Sequence, residues 1–249
     1  MVFSSSLFLL YFFPAFLILY YLAQDKYKNH VALFASIAFY AWGGPKFIFL
    51  VIATLLLDFI IAKESYKCKG NKRKIWLAVG VTLNLGLLGF FKYSNFFVEN
   101  INAVLISFGV ESLEWTKIAL PIGISFFTFQ KMSYIIDVYR NEKPPMKSFV
   151  DYSLYILFFP QLIAGPIIRF NEVADQIRDR KEQETIDNKL VGFFRFCIGL
   201  AKKVLIANTM GATADAIFQL DPTAISTSMA WMGVIAYAFQ IYFDFSGYS

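Results

Sequence analysis

Apolar residues run through this chain in long blocks separated by short polar and basic stretches. A helix needs about 20 apolar residues to cross a hydrocarbon core of about 30 Å. Five blocks approach that length: 2–23, 45–62, 75–91, 118–139 and 228–245. A sixth, 190–207, carries Arg195, Lys202 and Lys203, so part of it must face protein or water. Val2 to Ala23 holds no charge, follows no basic stretch and outruns the apolar core of a signal peptide. It is expected to insert and stay, bent at Pro14.

Two blocks break the pattern. Val31 to Trp42 would make only about 18 Å of helix, and it runs into Gly43-Gly44-Pro45, which cannot continue a regular helix. The spacing over 31–62 therefore predicts a short inserted helix, a break and then a full span. Asp151 to Ile168 is interrupted by Pro160 and by Gly165-Pro166. Irregular backbone survives at membrane depth only where protein or a wet cavity surrounds it, so 151–168 is expected to re-enter the membrane and line a cavity. Segment 171–190 alternates charges with Val173, Ile177, Ile186 and Leu190, the pattern of an amphipathic helix at the interface. The fold class is all-α: a polytopic transmembrane helical bundle with re-entrant or broken helices, read as a single transmembrane domain over 1–249.

Composition agrees. Hydrophobic residues make up 57% before the 14 glycines are added, and charged residues only 16%, against about 45–50% and about 25% in soluble domains. The formal charge is +5, and its placement says more than its size. Basic residues concentrate between Lys63 and Lys203, and none follows. Basic loops mark the cytoplasmic side. That rule puts 63–74, with six Lys/Arg, inside and 92–117, with Lys92 and Lys117 alone, outside. Arg140, Lys143 and Lys147 return inside. A re-entrant 151–168 keeps the five basic residues of 169–189 cytoplasmic and leaves the base-free 208–227 outside. The expected location is the cell (inner or plasma) membrane, multi-pass, with lipid as surroundings and no nucleic acid as partner. Cys68 and Cys197 fit no metal or redox spacing and are expected as free thiols. The last residues follow an apolar run without a polar tail, so the chain is expected to be the N-terminal part of a longer domain, truncated at Ser249.

Ionisable groups inside membrane segments cost about 2.5–3.5 kcal/mol each on insertion scales. Asp58, Lys131, Asp137 and Arg169 are expected near interfaces, where they snorkel or pair. Arg195, Lys202 and Lys203, at spacings of seven and eight, fall on roughly one helical face. That stripe suits a phosphate-bearing acyl donor or ordinary positive-inside anchoring, with nothing in the sequence to separate the two. Asp244 reads as a helix-terminal charge bonded to a neighbouring helix. His30, the single histidine, sits in a short polar loop with nothing to bury or orient it as a base. No serine elbow, phosphate loop or metal spacing occurs.

Five stretches together resemble the membrane-bound O-acyltransferase family, in its bacterial polysaccharide branch. They are VFSSSLFLLYFFP at the start, ALPIGISFFTFQKMSYIIDVYR (119–140), LFFPQLIAGPIIRF (157–170), GLAKKVLIAN (199–208) and YFDFSGYS (242–249). The resemblance implies a helical ring around a funnel, with re-entrant helices. An acyl donor, acetyl-CoA or a carrier-protein thioester, enters from the cytoplasm as substrate, with no bound cofactor. The acceptor is a hydroxyl of an exported polysaccharide such as alginate, presented from the other face. The family's histidine base lies after the motif resembling YFDFSGYS, so the resemblance places it beyond Ser249 and assigns no catalytic residue here; residues 1–249 alone are expected to be inactive. Within the matched motifs Gln161, Arg169 and Lys203 are the candidates for binding the donor or lining the funnel. An extracytoplasmic acetyltransferase or an export complex is the implied protein partner. Two alternatives stand beside this reading: a transporter or flippase, since broken helices and intramembrane charges mark those too, and a non-catalytic scaffold or D-alanyl transfer subunit for teichoic acid.

Overall fold

The computed structural model describes residues 3–162, 169–221 and 223–248, and every described element is helical. Close contacts divide the described chain into two compact units. One comprises residues up to Leu19 and from Asp179 onward; the other comprises the described part of 20–178.

The boundary at residues 19 and 20 falls within α1 (Phe13–Leu22), and the first helix wholly in the larger unit is α2 (Lys28–Gly43). Gly44 leaves helical geometry at φ −161°, ψ 69°, and a 3₁₀ turn at Pro45–Phe47 leads into α3 (Ile48–Lys67). The short helix, the break and the long span are as the glycine–proline cluster predicts. A tight turn at Gly70, with φ 59°, then starts α4 (Asn71–Ser107). Only α3 with its 3₁₀ turn, and α4, are both long and apolar enough to cross a membrane among the described residues. The sequence reading ends this span at 91 and leaves 92–117 as a loop, and the structure corrects it. Nothing in 92–107 breaks a helix, and its polar residues serve one side of a continuous helix.

A left-handed Gly123, at φ 74°, opens α5 (Ile124–Arg140). Asn141, at φ 60°, closes it. Arg73 donates to the carbonyls of Val138, at 3.0 Å, and Tyr139, at 2.5 Å, so the start of α4 caps the end of α5.

The broken segment follows as α6 (Phe149–Leu157) and α7 (Phe159–Leu162), hinged at Phe158. Nine residues make about 14 Å of helix, too short to cross. Residues 163–168, with Gly165-Pro166, lie outside the described residues. Two of the backbone groups freed at the hinge are met by side chains. The Tyr155 carbonyl accepts from Gln130 Nε2 at 3.0 Å and from Gln161 Nε2. The Phe159 N–H donates to Ser36 Oγ at 3.1 Å. A fully buried aromatic cluster of Tyr134, Tyr152, Tyr155 and Phe170 fills the centre. Phe170 opens α8 (Phe170–Arg178). The amphipathic segment expected over 171–190 is two pieces rather than one helix. The first stops at Arg178, and Thr185 accepts from the Asn188 N–H to cap a new helix, α9 (Ile186–Ala201).

In the smaller unit, α9 continues through a π-helical turn at Lys202–Ala207 into α10 (Asn208–Phe218). The expected outer loop therefore starts only after 218. The chain returns as α11 (Thr227–Tyr248), antiparallel to that long helix. Near the N-terminus a second π-helical turn, Phe8–Phe12, ends two residues before Pro14. Proline removes an intrahelical bond, and the wider turn takes up the break that the sequence predicts there. Phe13 stacks on Phe196 at 5.0 Å and Phe3 meets Tyr248 at 5.5 Å.

Candidate functional site

Five of the charges in apolar segments, Asp58, Lys131, Lys202, Lys203 and Asp244, form two polar locks, one in each unit. In the larger unit Asp58, at the middle of α3, faces α4 and α5. Its Oδ2 lies 2.9 Å from Lys131 Nζ, and its Oδ1 accepts from Asn84 Nδ2 at 2.8 Å. The Asn84 amide also donates to the Gly80 carbonyl one turn back, at 2.9 Å, which fixes its rotamer. Gly80 lets the three helices close: a Cβ there would come within 3.1 Å of Ile61 and Ile135.

Asp58 and Lys131 side chains are 0% and 2% exposed. The expectation that these charges snorkel at an interface is corrected: they pair in the core. A snorkelling side chain needs a path to water, and both lie in the middle of their helices among buried neighbours. Beside Lys131 is a cavity of about 10 Å³, lined by Asn84, Thr54, Thr128 and apolar side chains. That is the volume of a single water. The lock is net neutral and holds three helices from three separate parts of the sequence. Asp137 is likewise buried, at 7% exposure.

The second lock joins two of the sequence motifs. Lys203 Nζ lies 2.6 Å from Asp244 Oδ1, and Lys202 Nζ donates to Ser246 Oγ at 2.9 Å. One turn away the backbones nearly touch, since a Cβ on Gly199 would lie 2.4 Å from the Gly247 carbonyl. Further along, the side-chain amide of Gln240 packs over Gly211, 2.7 Å from where a Cβ would stand. The GLAKK and FDFSGY stretches are thus two sides of one helix–helix contact. The basic stripe expected on one face is split. Arg195 is exposed, a turn before the Gly199 crossing, while Lys202 and Lys203 are half-buried against α11.

The three sequence candidates have different surroundings. Gln161 is half-buried and its amide serves the Tyr155 carbonyl. Arg169 is exposed, and its guanidinium charge acts on the carboxyl of Asp137. Lys203 belongs to the other unit and is paired with Asp244. His30 is exposed, with Tyr27 as ring neighbour at 6.1 Å. Cys68 and Cys197 are free thiols. Among the described residues no three His, Cys, Asp or Glu side chains group as metal ligands. Asn84 and Ser246 were missed by the sequence reading because it searched membrane segments for charge, and these residues carry none. A lone asparagine inside the apolar block 75–91 was the available signal.

Comparisons with known proteins fit this picture. The profile of the membrane-bound O-acyltransferase family matches residues 124–249, which hold α5, the hinge and the whole second lock. The chain is 45% identical, over its full length, to the probable alginate O-acetylase of Azotobacter vinelandii, covering 50% of that protein. It is 34% identical to the peptidoglycan O-acetyltransferase of Helicobacter pylori, again over its full length and 52% of the relative. A teichoic acid D-alanyltransferase of Bacillus subtilis is 27% identical over 51% of this chain and 32% of the relative. The chain spans about half the length of the first two. With broken membrane helices, buried intramembrane charges and these matched motifs in one sequence order, the chain belongs to the membrane-bound O-acyltransferase family.

Proposed function

We propose that the protein O-acetylates hydroxyls of an exported polysaccharide such as alginate, using a cytosolic thioester as donor. The supporting observation is identity of 45% and 34%, along the whole chain, to proteins named for O-acetyl transfer to alginate and to peptidoglycan. In such a transfer the acceptor oxygen bonds to the acyl carbon, the carbon–sulfur bond breaks, and the hydroxyl proton ends on the departing thiol. We place the protein in the inner or plasma membrane as one multi-pass domain, with the basic 63–74 turn in the cytoplasm. An extracytoplasmic acetyltransferase or export complex would take part on the far side. Of the three candidate residues, Arg169 is exposed and offers a planar guanidinium of the kind that binds a donor phosphate, and it lies in a basic segment on the donor's side.

The test is acetyl transfer by membranes containing the full-length protein, supplied with labelled acetyl-CoA or an acetylated carrier protein and with alginate oligomers. Base-labile label on the polymer is the expected result. No label on alginate, with transfer of D-alanine to a teichoic acid acceptor, would replace this reading by the D-alanyl one.

A further inference from the structure

Helix α4 is too long for its membrane. Its 37 residues make about 55 Å of helix, whereas the hydrocarbon core is about 30 Å and the bilayer with headgroups about 40–45 Å. Its neighbour α3, of 20 residues, makes about 30 Å. The residues of α4 beyond about 91 therefore overshoot the span by about 24 Å.

This distal half has two opposite faces. On one, Asn95, Glu99 and Asn102 lie at i, i+4 and i+7 and clasp the returning strap 109–118. Asn95 Nδ2 donates to the Ile118 carbonyl at 2.8 Å, and its Oδ1 accepts from Trp115 Nε1 and the Ile118 N–H, both at 3.0 Å. Asn102 exchanges two bonds with the Leu113 backbone, at 2.8 and 3.1 Å. Glu99 pairs with Lys117 at 2.9 Å.

On the other face Tyr93, Phe97, Ile101, Val104 and Phe108 form an uncovered stripe, each between 47% and 79% exposed. At about 100° per residue this stripe continues the row of Ile75, Val79 and Phe90 in the first half of the same helix, also exposed. One apolar row thus runs the whole length of α4, and its first half lies in the 75–91 block that is long and apolar enough to meet lipid.

We infer that the distal half of α4 and its strap form an interfacial anchor in the leaflet opposite the basic 63–74 turn. The stripe lies in lipid and the asparagine clasp faces water. A helix tilt of about 40°, the upper end of the observed range, brings 55 Å of helix within about 42 Å of bilayer thickness. Tilting toward the stripe lowers that stripe onto the leaflet and raises the clasp, so one movement satisfies both faces. The attraction is apolar and aromatic rather than ionic: 92–118 holds Lys92 and Lys117 against Glu99, Glu111 and Glu114, so the anchor binds neutral phosphatidylcholine without needing anionic lipid.

The inference rests on α4 crossing the bilayer and is independent of the acyl-transfer reading. The full-length protein, with Cys68→Ser and Cys197→Ser, is reconstituted in phosphatidylcholine vesicles and labelled at single cysteines with an environment-sensitive fluorophore. Val79→Cys reports the first half of the helix, Phe97→Cys and Val104→Cys the stripe, and Glu111→Cys the strap. All four positions are exposed, so the labels leave packing intact. The expected result is strong quenching of the 97 and 104 labels by headgroup-proximal brominated lipid with shielding from iodide, and the reverse at 111. Iodide quenching at 97 and 104 equal to that at 111 would overturn the anchor. So would shielding from both quenchers, which would mean that protein covers the stripe. A Val79 label untouched by brominated lipid would overturn it at the prior step, the crossing itself.

Discussion

Removing one side of the Asp58–Lys131 lock should be far worse than removing both. Asp58→Leu strands an ammonium that is 2% exposed and takes the acceptor from the Asn84 amide. Lys131→Met strands a carboxylate that is fully buried. Breaking a buried pair from either side costs about 3–5 kcal/mol, because the uncompensated charge stays in a medium that solvates it poorly. The double variant Asp58→Leu/Lys131→Met removes both charges and keeps nearly the same volume. It should recover most of that loss, to within about 1–2 kcal/mol of wild type, the remainder being the Asn84 amide, which keeps the Gly80 carbonyl but loses its second acceptor. The double-mutant cycle should therefore show coupling of several kcal/mol. Equilibrium unfolding of the full-length protein in bicelles, read by a thermodynamic trap for the unfolded state, measures all four corners. Singles as stable as wild type, or a double as unstable as the two singles summed, would refute the buried-charge argument.

Three further outcomes follow from the packing. Gly199→Ala places a methyl 2.4 Å from the Gly247 carbonyl and should destabilise by about 1–3 kcal/mol or more, whereas Gly86→Ala meets nothing within 4 Å and should be neutral or slightly stabilising; thermal unfolding ranks the two. Lys203 and Asp244 are only partly buried, at 21% and 32% exposure, so Lys203→Met alone should cost under about 2 kcal/mol. If its role is the lock alone, Lys203→Asp/Asp244→Lys restores acetyl transfer; loss of transfer in a stable swapped protein, with a raised donor KM, would show that Lys203 also meets the donor. Asn95→Ala removes three bonds to the strap and should make 109–118 the first site cut in limited proteolysis, with α3 and α5 unaffected.

Local chemistry made the helix breaks legible. Gly43-Gly44-Pro45 and Pro160 act within a few residues of themselves, so their effects appear in the sequence and recur as the hinges at Gly44 and Phe158. Charge in an apolar block was legible for a similar reason: Asp58, Lys131 and Asp244 stand out against their neighbours. Who pairs with whom was not. Asp58 and Lys131 are far apart in sequence, and no periodicity links them. The end of α4 was hidden for another reason. Hydropathy falls after 91, and falling hydropathy marks the end of a span but not the end of a helix. Backbone bonding continues wherever no residue interrupts it, and Asn95, Glu99 and Asn102 turned polar surface into a clasp rather than a loop.

The second lock changes what a family motif means here. GLAKKVLIAN and YFDFSGYS stand as separate stretches in the sequence, each a weak signal. In the structure their positions correspond one to one across a helix crossing: Gly199 with Gly247, Lys202 with Ser246 and Lys203 with Asp244. The glycines set the distance, since any side chain at either would hold the helices apart. At that distance two short polar links can form that longer spacing would break. The lysines therefore depend on the glycines, and a substitution at Gly199 should weaken the Lys203–Asp244 pair without touching either charge. That dependence separates a motif kept for packing from one kept for contact with substrate. A packing motif yields to paired substitutions across the crossing, and a substrate-binding one does not.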